Sequence, residues 1–258
     1  MKNRFFTCKF MLADQRLQVT GKRGEFIMYN NQTFLAIIPA RSGSKGIFNK
    51  NIKMMNHKPL MAHTIEACRK ASIFDEIIVS TDSMDYAKIA QDYGASVPFL
   101  RPTELATDEA TTIDVILHVL KEMSDLGKTF EYFMLLQPTS PLRNETHILE
   151  SAKLLFEKNA DSVISICKLE HPTNLNVKFH NNGYLDVPYQ DKKMVRRQEI
   201  SQEYRINGAI YLTNTAFFLN NNNFYSGKTY PFLMDALNSI DIDEEFQFSI
   251  AEYIIKCG

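Results

Sequence analysis

The sequence predicts an α/β protein: a mostly parallel sheet with helices on both faces. Short apolar runs alternate with amphipathic stretches from residue 34 to residue 166, the rhythm of strand–helix–strand units. Polar loops follow three of these runs, at Arg41–Lys50, Thr81–Ser83 and Gln137–Arg143, where parallel sheets bind ligands. The chain has 258 residues, 45% of them hydrophobic, enough for one substantial core.

Leu35 to Ile38 reads as a buried strand that stops at Pro39, which has no amide to donate to a ladder. Pro59 to Ala71 has Met61, Ile65 and Cys68 at helical spacing. Glu76 to Ser80 is the next strand, and Ser83 is placed to cap the helix after it. That helix carries Ala87, Ala90 and Tyr93 and stops at Gly94, a residue suited to the left-handed turn past a helix end. Ile113, Ile116, Leu117 and Leu120 mark a further helix, and Tyr132 to Leu136 a buried strand. The prolines of Gln137-Pro-Thr-Ser-Pro141 end that strand, a helix bearing Ile148, Ala152 and Leu155 follows, and Asp161 to Ile166 is again strand-like.

Residues 168–204 break the rhythm with His171-Pro, Asn181-Asn-Gly and Asp191-Lys-Lys, and read as a hairpin-rich excursion from the main sheet. Tyr204 to Tyr211 reads as a polar group before a strand. The Asn220–Asn223 run reads as a surface loop. Phe246, Ile250 and Ile254 define a last helix.

Residues 1–33 mix polar residues with short apolar bursts. They lack the long apolar stretch and cleavage site of a signal peptide, and read as a poorly ordered extension; a translation start at Met28 is the other reading. A chain beginning at Met28 is expected to fold and react like the full one. A large drop in its melting temperature would show that the extension is structural.

The net charge of −1 gives no global field for nucleic acid or an anionic membrane. No apolar run approaches the roughly 20 residues of a membrane helix. Cys8, Cys68, Cys167 and Cys257 are scattered, with no zinc or redox spacing, and fit a reducing, cytoplasmic compartment.

The loop after the first strand holds Gly43 and Gly46, Ser42 and Ser44, and Arg41, Lys45 and Lys50. Such a loop can aim backbone amides and cations at one phosphate, although the common P-loop pattern is absent. A solvated basic turn is the plainer reading. In Ile240-Asp241-Ile-Asp243, strand alternation puts both carboxylates on one face, a hard oxygen pair that suits Mg²⁺. The plainer reading makes Asp243 a helix cap. Arg196-Arg-Gln198 offers guanidinium groups that clamp carboxylates, or an exposed basic turn.

Together, Ile37-Ile-Pro-Ala-Arg-Ser-Gly-Ser-Lys-Gly46 with Lys50-Asn51, Ser80-Thr-Asp82, Leu100-Arg-Pro102, Leu136-Gln-Pro-Thr-Ser-Pro-Leu-Arg143, Arg196-Arg-Gln198, Tyr204-Arg-Ile-Asn-Gly-Ala-Ile-Tyr211 and Asp241-Ile-Asp243 resemble the CMP-nonulosonic acid synthetases, the acylneuraminate cytidylyltransferase family. The likeness covers residues 34–258 and leaves out the extension. It implies a Rossmann-like nucleotidyltransferase sheet, related to the glycosyltransferase-A architecture, and a homodimer whose contacts fall in the 168–204 excursion. It implies transfer of CMP from CTP to a nonulosonic acid with Mg²⁺ as cofactor. By the same resemblance, Arg41, Ser44, Lys45, Lys50, Asn51, Asp82 and Arg101 bind the nucleotide, and Arg41, Lys50 and Asp241 act in catalysis. Gln137, Arg197 and Asn207 orient the sugar, and Asp241 and Asp243 hold the metal. Phe48 stands where the family commonly has proline. A Kdo cytidylyltransferase, a non-catalytic nucleotide-binding protein of the same fold and an NAD-dependent oxidoreductase are the alternatives, the last without its glycine fingerprint.

Overall fold

A computed structural model describes residues 32–171, 173, 176–186 and 202–257. The strands are β1 (Phe34–Pro39), β2 (Met54–Met55), β3 (Lys58–Pro59), β4 (Glu76–Ser80), β5 (Tyr132–Leu135), β6 (Ser162–Lys168), β7 (Lys178–Phe179), β8 (Leu185–Asp186), β9 (Tyr204–Asn214) and β10 (Thr229–Leu233). The helices are α1 (Leu60–Ala71), α2 (Met84–Asp92), α3 (Thr112–Asp125), α4 (Glu145–Glu157), α5 (Thr215–Asn221) and α6 (Glu245–Cys257).

Six strands form the central sheet in the order β10-β6-β9-β5-β1-β4. Every neighbouring pair is parallel except those made by β9, which runs against both β5 and β6. Strand alternation splits the core between the two faces. Phe34, Ala36 and Ile38 of β1 pack with residues of α1, α2 and α4, whereas Leu35 and Ile37 pack with residues of α3 and α5. The helix signals hold in detail: Ser83 accepts the Tyr86 amide at the start of α2, and Gly94 has φ +92° beyond its end. Cys68 and Cys167 are buried thiols.

A smaller core lies beside the loop that leaves β1. Ile47 of that loop meets Met55, Leu60, Leu142, Ile242 and, from α6, Phe248 and Ala251. This cluster ties the start of the sheet to residues about 190 positions later.

Four details differ from the sequence reading. Residues 240–243 belong to no strand, because the Ile242 amide donates to Thr139 O and its carbonyl accepts from the Lys50 ammonium, leaving nothing for a ladder. Tyr204 to Tyr211 lies within β9 rather than before a strand. Helix α6 buries Phe248 and Ala251, while Phe246 and Ile250 are exposed, because the small core reaches only that stripe. The asparagine run begins inside α5 and ends it, with Asn222 in the left-handed conformation. The excursion contributes the β7–β8 hairpin, turned at Gly183 with φ +86°.

Candidate functional site

The loop after β1 is held from beneath. The Ser42 amide and hydroxyl donate to Asp82 at 2.8 and 2.5 Å, and the Asn51 side chain donates to Arg41 O at 3.0 Å. Burial opposes the Asp82 charge, but the Ser42 bonds, its own backbone amide and the Arg101 charge together hold the carboxyl below its ordinary value. Arg101 is buried and donates to the hydroxyl and carbonyl of Ser80 at 3.0 and 2.7 Å. Burial pushes its guanidinium down to about 10.

Beyond this loop opens a cavity of about 700 Å³. Arg41, Ser44, Lys45, Lys50, Asn51, Arg101, Gln137, Asp241 and Asp243 all line it, so nine of the twelve residues anticipated from sequence converge. Asp82 is absent from the wall and acts as the loop's brace. Asn207 is buried and does not line the cavity. Its amide donates to Ser239 Oγ and Met234 Sδ and accepts from Ser165 Oγ and the Ala209 amide. Arg197 lies outside the described residues.

Lys50 joins the basic and acidic parts of the wall. Its Nζ donates to Ile242 O at 2.6 Å and reaches Asp243 Oδ1 at 3.3 Å. Ile242 is fully buried in the small core, and Asp241 and Asp243 on either side of it both border the cavity. The anticipated pairing of carboxylates therefore exists without a strand. The Asp243 carboxylate takes Lys50, and Gln247 Oε1 accepts the Asp243 and Glu244 amides at the start of α6. Burial first, and then the charge of Asp243, push the Asp241 carboxyl up, against a hydrogen bond from Thr139 and the charge of Lys50.

Such a pair fits a hard divalent cation, whose charge would offset the burial and the neighbouring Asp243 charge that raise Asp241. Among the described residues no group of three or more His, Cys, Asp or Glu is placed to hold a metal. Two protein carboxylates match Mg²⁺, which keeps waters and takes substrate phosphates as further ligands.

Gly46 sets the distance between the two halves. A Cβ built there would lie 2.4 Å from the Asp243 carbonyl oxygen, closer than carbon and oxygen pack. Gly46→Ala is therefore expected to push the basic loop off the acidic one and to weaken the nucleotide binding that the resemblance implies about tenfold or more. Nucleotide affinity measured by calorimetry checks it; an unchanged affinity would mean that the two loops move independently.

Sequence reasoning missed Asp108. Its carboxylate pairs with both Arg41 and Lys45, and those two cations hold it below its ordinary value. The acid sits 67 residues from Arg41 in a loop without periodicity, so only the fold brings it there. Gly208 stood in a quoted motif without a role; it lies in the part of β9 where pairing to β6 shifts register between Ile164 and Ile166. It has φ +77°, and a Cβ there would meet Gln137 Oε1 at 2.7 Å. The Gln137 side chain thus lies over bare backbone, with Asp241 Oδ2 next nearest at 3.7 Å.

A family model described as cytidylyltransferase matches residues 35–254. The chain belongs to the cytidylyltransferase family. One relative, an N-acylneuraminate cytidylyltransferase of Escherichia coli O18:K1:H7, is 41% identical over 219 residues, covering 84% of this chain and 51% of the relative. The chain thus spans about half that protein's length. A CMP-N,N'-diacetyllegionaminic acid synthase of Legionella pneumophila is 35% identical over 225 residues, covering 86% of this chain and 96% of the relative. Among solved structures, a CMP:2-keto-3-deoxy-manno-octonic acid synthetase complexed with CTP superposes with a TM-score of 0.66 over 87% of this chain and 99% of that one, at 14% identity. That likeness establishes the nucleotidyltransferase fold of this family member. Among the described residues no helix is long and apolar enough to cross a membrane.

Proposed function

We propose that this cytidylyltransferase moves CMP from CTP to the anomeric hydroxyl of a nonulosonic acid. The sugar oxygen attacks the α-phosphorus, the bond from that phosphorus to the bridging oxygen breaks, pyrophosphate leaves, and the hydroxyl proton passes to solvent water. The observation that carries this reading is the Lys50 contact, which seats a phosphate-type loop against a carboxylate pair in one cavity. The sialic and legionaminic acid specificities of the two named relatives supply the substrate class.

Arg41, Ser44, Lys45 and Asn51 take the triphosphate and ribose. Arg41 exchanges its Asp108 partner for phosphate oxygens, which accept the same charge-assisted hydrogen bonds. Arg101, anchored on Ser80, presents its remaining donors to the nucleotide from the cavity wall. Lys50 offsets charge that grows on the phosphoryl oxygens and the leaving pyrophosphate. Asp241 and Asp243 would hold Mg²⁺, which when bound neutralises phosphate charge and orients the α-phosphate. Gln137 faces the sugar, and Arg197 is matched to its carboxylate. Asn207 acts without lining the cavity, by fixing the β9 irregularity on which Gln137 rests. A homodimer built through the excursion and a cytoplasmic location complete the reading; unpaired Cys68 and Cys167 agree with a reducing compartment.

The test is pyrophosphate release from CTP with purified neuraminic, legionaminic and pseudaminic acids and with Kdo. Turnover with one of the three nine-carbon acids is expected. Turnover with Kdo alone would move the chain to the eight-carbon class, and none with any acid would leave a nucleotide-binding protein of the same fold.

A further inference from the structure

Arg143 is a buried side chain that takes no part in the mechanism. Arg143 closes the loop after β5 and stands just before Asn144, the capping residue of α4. It is 1% exposed. Burial pushes its guanidinium down to about 10, and no carboxylate acts on it among the described residues. Its Nη1 donates to Gln137 O at 3.2 Å and to Ala209 O at 3.0 Å, while Nε and Nη2 are buried without a hydrogen-bond partner.

This is a costly arrangement. A buried cation without an anion is strongly disfavoured, and the amino end of α4 adds its own positive potential. Packing alone does not call for it, since an apolar side chain of that length fills the same space. Both acceptors flank one feature. Gln137 carries the amide that faces the candidate sugar end, and Ala209 follows Gly208, the bare backbone beneath that amide. A single nitrogen thus bridges the loop after β5 to the irregular part of β9.

We propose that Arg143 is a positioning residue: it locks the Gln137 loop to the Gly208–Ala209 backbone and so fixes the Gln137 amide for sugar recognition. The proposal rests on the activity stated above, in which Gln137 meets the sugar. A planar guanidinium reaches both carbonyls from inside the fold, which an ammonium on a flexible stem does less well. The nucleotide end of the cavity depends on other braces, Asp82 and Ser80, and is left untouched.

The experiment compares Arg143→Met, Arg143→Lys and Gln137→Ala. In the unliganded protein, the Gln137 side-chain amide resonances, assigned by their disappearance in Gln137→Ala, are expected to be dispersed. In Arg143→Met they should collapse toward the values of a freely rotating amide. In turnover, the kcat/KM for the sugar should fall about ten- to a hundredfold, while the KM for CTP stays within about twofold. Arg143→Met added to Gln137→Ala should cost nothing further, which a purely structural role would not produce. If Arg143→Met does not fold, Arg143→Lys is read the same way. A folded variant with an unchanged Gln137 amide, or one that loses CTP and sugar affinity equally, overturns the proposal. Should the parent protein turn over no nonulosonate, the activity reading fails, and the amide resonances still decide the role of Arg143.

Discussion

Asp241→Asn and Asp243→Asn are expected to abolish turnover at limiting Mg²⁺ while leaving the fold intact. An amide oxygen is a poor replacement for a carboxylate toward a hard cation, and a loss of at least about a hundredfold in affinity is expected at a ligand position, since even supporting groups cost ten- to a hundredfold. The fold should survive because Ile242, not its neighbours, fills the small core. The Asp241 carboxyl is raised in the folded chain, first by burial and also by Asp243. The folded protein therefore keeps that proton to higher pH than the unfolded chain does. Stability from this group declines as pH rises from the ordinary carboxylate value through the raised one, and Asp241→Asn removes that slope. Cation affinity runs the opposite way, because protons compete for the same oxygen, and falls as pH drops through this window. Mn²⁺ titrations followed by water-proton relaxation, across pH, measure both variants without requiring activity. Near-parental Mn²⁺ affinity in both would remove these residues from the metal site.

Lys50→Ala is expected to cost about 2–4 kcal/mol in turnover, the usual effect of deleting a group aimed at charge that develops in the transition state. The side chain is only 13% exposed, so its charge acts with little screening by water. Deletion leaves the Ile242 carbonyl without its ammonium donor, and that costs about 1–3 kcal/mol of stability at most. The signature is a drop in kcat out of proportion to the change in melting temperature. Single-turnover rates at saturating CTP measure it. A rate within about threefold of the parent would assign Lys50 to structure alone.

Most of the sheet was legible because its signals are local. Leu35 to Ile38 is apolar throughout, as a strand covered on both faces must be, and Ser83 and Gly94 mark helix ends through their own backbone chemistry. The basic loop was legible for the same reason. Residues 240–243 misled because alternation reports which way side chains point and says nothing of what the backbone bonds to. In α6, any of several stripes of Phe246, Phe248, Ile250, Ala251 and Ile254 is apolar enough to be buried, and the small core chose one of them. Asp108, and the roles of Gly208 and Arg143 within their quoted motifs, were opaque because their meaning lies in partners brought by the fold: Lys45, the Gln137 side chain and the Ala209 carbonyl.

The bond between Lys50 and Ile242 spans 192 residues, and this sets an order of events. Contacts so far apart in sequence form late, after local helices and neighbouring strands have repaid their own entropy. During refolding, circular dichroism should recover its helical signal before the protein regains affinity for nucleotide. A ribosome will have exposed the basic loop long before the acidic one exists, so the nascent chain carries an unfinished cradle. On the function proposed above, CTP would find no complete site until residues 240–243 have been made.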